Sequence, residues 1–153
     1  MKKVIILFAV MLTGCQQGGG PISQQDKDEI QKTIDAFANA IKNRTGDFGA
    51  VYTSDIISMP PHVEANTGVE KVTAFHSDPA GPKVTTFTVA SQEIEGSADL
   101  AYARGVWKFE GVLNDTLNVS DNGKFVIILK KQGDGTWKTS REIWNSNVPI
   151  PGQ

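Results

Sequence analysis

The sequence is short of the residues from which most metal and redox sites are built. Its 153 residues include one cysteine, Cys15, and two histidines, His62 and His76. A single thiol excludes an intramolecular disulfide and a thiolate metal cluster. Two histidines without a carboxylate at ligand spacing carry no metal signature, so neither metal nor cofactor is expected. There is no dinucleotide fingerprint, phosphate loop or nucleophile elbow, which sets aside the chemistries those motifs serve. Basic residues form no block: 15 Lys and Arg stand against 17 Asp and Glu, a formal charge of −2, so nucleic acid is not an expected partner. No internal repeat is present. No apolar run approaches the roughly 20 residues a membrane-crossing helix needs.

What is present begins with an address. Met1-Lys2-Lys3 is a positive start, and Val4 to Leu12 is a short apolar run, the pattern of a signal peptide. Leu12-Thr13-Gly14-Cys15 resembles the lipobox of bacterial lipoproteins, in which small residues precede a cysteine that is diacylated and becomes the new N-terminus. The resemblance implies a signal peptide over 1–14, lipidation at Cys15, the lipid bilayer as partner and a place in the bacterial cell envelope. In a Gram-negative cell, Gln16 after the cysteine points to the outer membrane. Ordinary secretion with cleavage nearby and a buried core cysteine are the competing readings. Removing Lys2 and Lys3 with the leader takes the charge from −2 to −4. Residues 15–25, with Gly18 to Gly20 and Pro21, lack periodicity and read as a flexible tether.

One domain is expected over 26–149, with a tail at 150–153. Asp26 and Glu29 can form a capping box, and Ile30, Ile34, Phe37, Ala38 and Ile41 make one apolar helical stripe that Gly46 ends. Asp47 to Tyr52 and Val69 to Phe75 read as short helices, and Ile56 to Met59 as a short strand stopped by Pro60-Pro61. Long strands follow: Lys83 to Glu95, turned by Gly96-Ser97, and Leu100 to Phe109. Asn114 to Gly123 reads as a polar connection. Phe125 to Leu129 then returns through Gly133-Asp134-Gly135 along Thr136 to Asn145 as a hairpin. Phe125 to Leu129 is apolar on both faces and demands cover on both. Helices first and strands after give an α+β class, with helices on one face of a curved antiparallel sheet of four long strands and a short one.

Tyr52-Thr53-Ser54-Asp55 with Met59-Pro60-Pro61, the run Gly96 to Gly105, Gly123-Lys124-Phe125, Asp134 to Lys138 and Ile143-Trp144-Asn145-Ser146-Asn147 resemble, in order and spacing, the SnoaL-like or DUF4440 branch of the NTF2-like superfamily. The resemblance spans Glu29 to Pro149. It implies a cone in which a bent sheet wraps the first helix and leaves a pocket at the open end, and a homodimer through the sheet's outer face. Relatives that catalyse proton transfer use a carboxylate base in an apolar pocket with a neutral donor aimed at the developing oxyanion. His76 and Glu142 depart from residues common in that branch.

Glu142 and Asp55 are the candidate bases. Glu142 is also expected to pair with Arg104 on a neighbouring strand, and Asp55 to cap backbone. Tyr102 and His62 are candidate donors, with strand packing and a solvated loop as their alternatives. His76 is expected to face the carbonyls ending its helix. Tyr52, Met59, His62, Tyr102, Arg104, Trp107, Trp144 and Asn145 are the candidate ligand contacts; for the tryptophans cross-strand packing serves equally well, and for Asn145 the terminal turn. The expected function is binding of a small apolar ligand in the pocket. The alternatives are isomerase-like or cyclase-like proton transfer, and a dimerising or partner-docking scaffold with a filled pocket.

Overall fold

The computed structural model describes residues 19–44 and 48–149. The expected signal peptide, Cys15, Gly46 and Asp47 lie outside them. The first helix, α1 (Gln24–Asn43), starts at Ser23, whose hydroxyl accepts from the Asp26 N–H while the Asp26 carboxylate reaches back to the Ser23 N–H. The capping box is thus Ser23 with Asp26, one turn ahead of the expected Asp26 with Glu29. A serine cap satisfies the first free N–H groups as well as an aspartate does, so the helix takes the earlier start. Arg44, in the left-handed region at φ 52, ends it by returning its N–H to Ala40 and Ile41.

The expected tether is fixed over its last residues. Pro21 bridges Ser97, the Ile22 N–H donates to the Gly96 carbonyl, and Ile22 is 8% exposed. A lone apolar side chain seated in the core is enough to order a segment that has no periodicity of its own.

After α1 come α2 (Phe48–Val51), β1 (Tyr52–Met59), β2 (Asn66–Thr67), α3 (Val69–His76), β3 (Lys83–Ser97), β4 (Leu100–Leu113), β5 (Leu117–Lys131) and β6 (Trp137–Ser146). They form one sheet in the order β2-β1-β6-β5-β4-β3. Tyr52, expected to close a helix, opens β1 and pairs with Thr139. The sheet is mixed rather than antiparallel, because β1 runs parallel to β6. No hairpin joins those two strands, so no tight turn dictates their direction.

The turns also move. Gly96 and Ser97 stay in β3, opposite Ala101 and Leu100, and the reversal falls at Ala98, at φ 54. Asn114 to Gly123 is strand from Leu117 onward, entered through Asn114 and Asp115 at φ 52 and 60, the paired left-handed geometry of a tight hairpin turn. Its polar residues alternate with Val119, Asp121 and Gly123, and only the second set faces inward, opposite Gly111, Phe109 and Trp107.

The sheet wraps α1 as its amphipathic stripe requires. Ile30 and Ile34 are buried against Ala101, Ala103, Phe125, Ile127, Leu129 and Trp137. Further along, Phe37 and Ile41 pack on a second cluster of Phe48, Val51, Tyr52, Ile56 and Val72. Register shifts in β3 between Val84 and Thr86 and between Ser91 and Glu93, and in β6 at Ser140, which is skipped between Ile128 and Leu129 of β5, bend the strands. The inner face is covered; the outer one is not. Val126 and Ile128, which the sequence required to be covered, are 43% and 38% exposed in the single chain, with Leu100 and Ile143 about half exposed beside them.

Candidate functional site

Where the sheet bends away from the second half of α1 it leaves a cavity of about 500 Å³. Its walls are Ile34, Phe37 and Ile41 of α1, Phe75 and His76 of α3, and the inward residues of β3 to β6, among them Phe87, Trp107, Phe125 and Trp144. Such a volume and a mainly apolar lining suit a small organic ligand.

The buried polar cluster sits at the inner end. Glu142, on the inward face of β6 and 6% exposed, accepts a hydrogen bond on Oε2 from the Tyr52 hydroxyl at 2.8 Å. His76 Nε2 lies 3.4 Å from that hydroxyl and 3.7 Å from Glu142 Oε1. Because the phenol proton is given to Glu142, the phenol oxygen is left to accept, which suits an N–H at His76 Nε2. Glu142 Oε1 is buried without a hydrogen-bond partner. Burial first, then the adjacent Glu142 carboxylate, holds the Tyr52 hydroxyl well above the usual phenol range, so it remains a donor. The imidazole is held by rings: it stacks on Phe48 at 5.3 Å and on Trp144 at 6.0 Å, with Phe37 and Phe75 edge-on.

Of the residues expected at the site, Tyr52, Trp107, Glu142 and Trp144 line the cavity. The others stand elsewhere. Asp55 projects outward toward Lys130 and Arg141, at 3.9 and 3.8 Å, with its side chain 60% exposed. As a base it lacks the apolar surroundings that role needs. Arg104 does not meet Glu142: it lies opposite Val126 on the outer face, whereas Glu142 lies opposite Ile127 on the inner one. The Arg104 guanidinium binds Glu93 at 2.7 Å instead. Tyr102, also outward, donates to Glu93, and that hydrogen bond pushes its hydroxyl up to about 12. Met59 pairs with outward Ile143, and Asn145 accepts from the Lys124 N–H at the outer surface. His62 is exposed in the loop after Pro61, at φ 65.

His76, expected to face helix-end carbonyls, is instead part of the site. The signal was available: Val69, Val72 and His76 are spaced i, i+3, i+7 and share the face of α3 on which Val72 is buried. No group of three or more metal-ligating side chains occurs among the described residues.

No family model and no curated protein matches the sequence. Solved structures do match. A nuclear transport factor 2 (NTF2-like) superfamily protein from Salmonella enterica superposes with a TM-score of 0.70 at 15% identity, over 86% of this chain and 99% of that one. The fold is NTF2-like. A ketosteroid isomerase-like protein from Erwinia carotovora gives 0.71 at 20% identity, over 83% and 100%. An NTF2-like protein from Cytophaga hutchinsonii gives 0.66 at 17%, over 82% and 99%. In this NTF2-like domain the cavity stands at the open end of the cone, and its inner wall carries Tyr52, His76 and Glu142.

Proposed function

We propose that the protein is a lipid-anchored envelope protein, of the SnoaL-like or DUF4440 branch, whose domain binds a small, largely apolar molecule in the cone cavity. The observation that carries the binding role is the 500 Å³ chamber whose lining is mainly apolar with a few polar groups set into it, so that most of a ligand's surface can be buried while a polar group is oriented. Native mass spectrometry of protein isolated from its own host is expected to show a retained small molecule; repeated adduct-free spectra overturn the reading. Anchoring rests on the lipobox-like run ending at Cys15. A homodimer is favoured by the uncovered apolar outer face around Val126, Ile128 and Ile143.

One observation favours a second reading, acid–base catalysis. Glu142 is an inward carboxylate in apolar surroundings, with Oε1 free of hydrogen bonds and an imidazole 3.7 Å away. In that reading Glu142 accepts a proton from carbon and Tyr52 or His76 serves as neutral donor. Solvent deuterium incorporation into a bound ligand, abolished by Glu142→Gln, is its test. A ligand recovered without exchange rejects catalysis and leaves binding.

A further inference from the structure

We infer that the cavity discriminates by charge, taking an apolar molecule that carries an amine and rejecting its carboxylate counterpart. The inference rests on the ligand-binding reading and specifies the ligand class. Three carboxylates belong to the cavity wall: Glu142 at the inner end, Asp121 half-buried on β5, and Asp78 at the exposed rim. Their hydrogen bonds come from neutral groups. Asp121 Oδ1 accepts from the Asn122 N–H at 2.6 Å and the Ser146 hydroxyl at 2.7 Å, Asp78 Oδ1 from the Ala80 N–H at 2.8 Å, and Glu142 Oε2 from Tyr52.

The guanidinium on the wall is committed elsewhere. Arg44 Nη1 donates to the carbonyls of Gly81 and Pro82 at 3.1 and 3.2 Å, and Nη2 to that of Asp78. Those carbonyl dipoles take up its donors and hold it at the rim. The wall therefore presents three negative groups against one occupied cation and the His76 imidazole, inside apolar walls that screen poorly. An entering anion meets repulsion that nothing on the inner wall offsets. An ammonium meets the opposite field among aromatic side chains, Phe37, Trp107 and Trp144, of the kind that attract a cation. Its N–H is also the partner that Glu142 Oε1 lacks.

The test is calorimetric titration of the full chain with three probes sharing one apolar body: phenylbutylamine, phenylbutanol and phenylbutyrate at neutral pH. The amine is expected to bind about tenfold or more tighter than the carboxylate, with the alcohol between them. Added salt should weaken the amine and leave the alcohol unchanged. Glu142→Gln and, separately, Asp121→Asn should each narrow the amine-to-carboxylate ratio, read on variants whose near-ultraviolet dichroism is native. Carboxylate binding as tight as amine binding overturns charge selection while the ligand-binding reading stands. Silence from all three probes overturns both.

Discussion

Tyr52 and Glu142 are 90 positions apart and meet because β1 lies against β6. Among the described residues, their hydrogen bond is the one the Glu142 carboxylate receives, so the two residues depend on each other unequally. Tyr52→Phe leaves a desolvated carboxylate without its donor, and should lower stability by about 1–3 kcal/mol in urea titrations. Glu142→Gln keeps an acceptor for the phenol and should cost less; equal losses from the two variants would contradict the donor role of Tyr52. At this scale the sequence was partly legible. Glu142 stood out because it shares a strand face with Trp144 beside a partner strand, Phe125 to Leu129, that is wholly apolar. Tyr52 was legible as a ligand contact but not as the partner of Glu142, and His76 was not legible, because a histidine at a helix end has a more ordinary role. Only the fold brings them within 4 Å of each other.

Among the elements, α1 has its anchor at its first turn. The Lys131 ammonium first, then the Ser23 hydroxyl and the Trp137 indole, hold the Asp26 carboxyl far below the usual carboxylate range. The folded value lies below the unfolded one, so the contribution is fully present above the unfolded value near 4 and is lost as pH falls through and below it. Urea midpoints should therefore decline on acidification below about pH 5, and Asp26→Asn should lose part of that decline. Removing the box through Ser23→Ala should cost about 1 kcal/mol at neutral pH.

The long strands have their own constraint at the bend. A methyl group added at Gly105 would stand 2.1 Å from the Ala90 carbonyl oxygen, and one at Gly123 would stand 1.7 Å from that of Asn145. Backbone cannot yield cheaply, so Gly123→Ala is expected to destabilise by about 1–3 kcal/mol and to loosen the pairing of β5 with β6. Amide exchange at Lys124 and Asn145 would show it. Strand lengths were less legible than strand existence. The start of β5 reads as loop because Asn118, Ser120 and Asn122 face water, and its inward set offers only Val119 as an aliphatic. The helix stripe Ile30, Ile34, Phe37, Ile41 was fully legible, since burial on one side repeats with the helix period.

For the whole molecule, architecture was legible and direction was not: helices before strands imply a wrapped rod, but nothing local states that β1 runs parallel to β6. The uncovered outer face gives a prediction at this scale. Light scattering at micromolar concentration is expected to give twice the chain mass, and Val126→Lys with Ile128→Lys to give the monomer. A wild-type monomer would reject the homodimer. Membrane fractions should retain the protein, and Cys15→Ser should release it, because two acyl chains are needed for durable anchoring.

The sheet order has a further consequence for how the chain matures. β1 is made early, yet its long neighbour is β6, which leaves the ribosome after every other strand of this sheet. Until Trp137 to Ser146 has emerged, the half-sheet of β1 and β2 has no seam to join, and Tyr52 has no acceptor. Closure of this sheet is thus deferred until β6 has been made, and it is slow by contact order. A chain stopped before Trp137 would not be a trimmed form of this domain; it would leave two unmated pieces exposed to proteases.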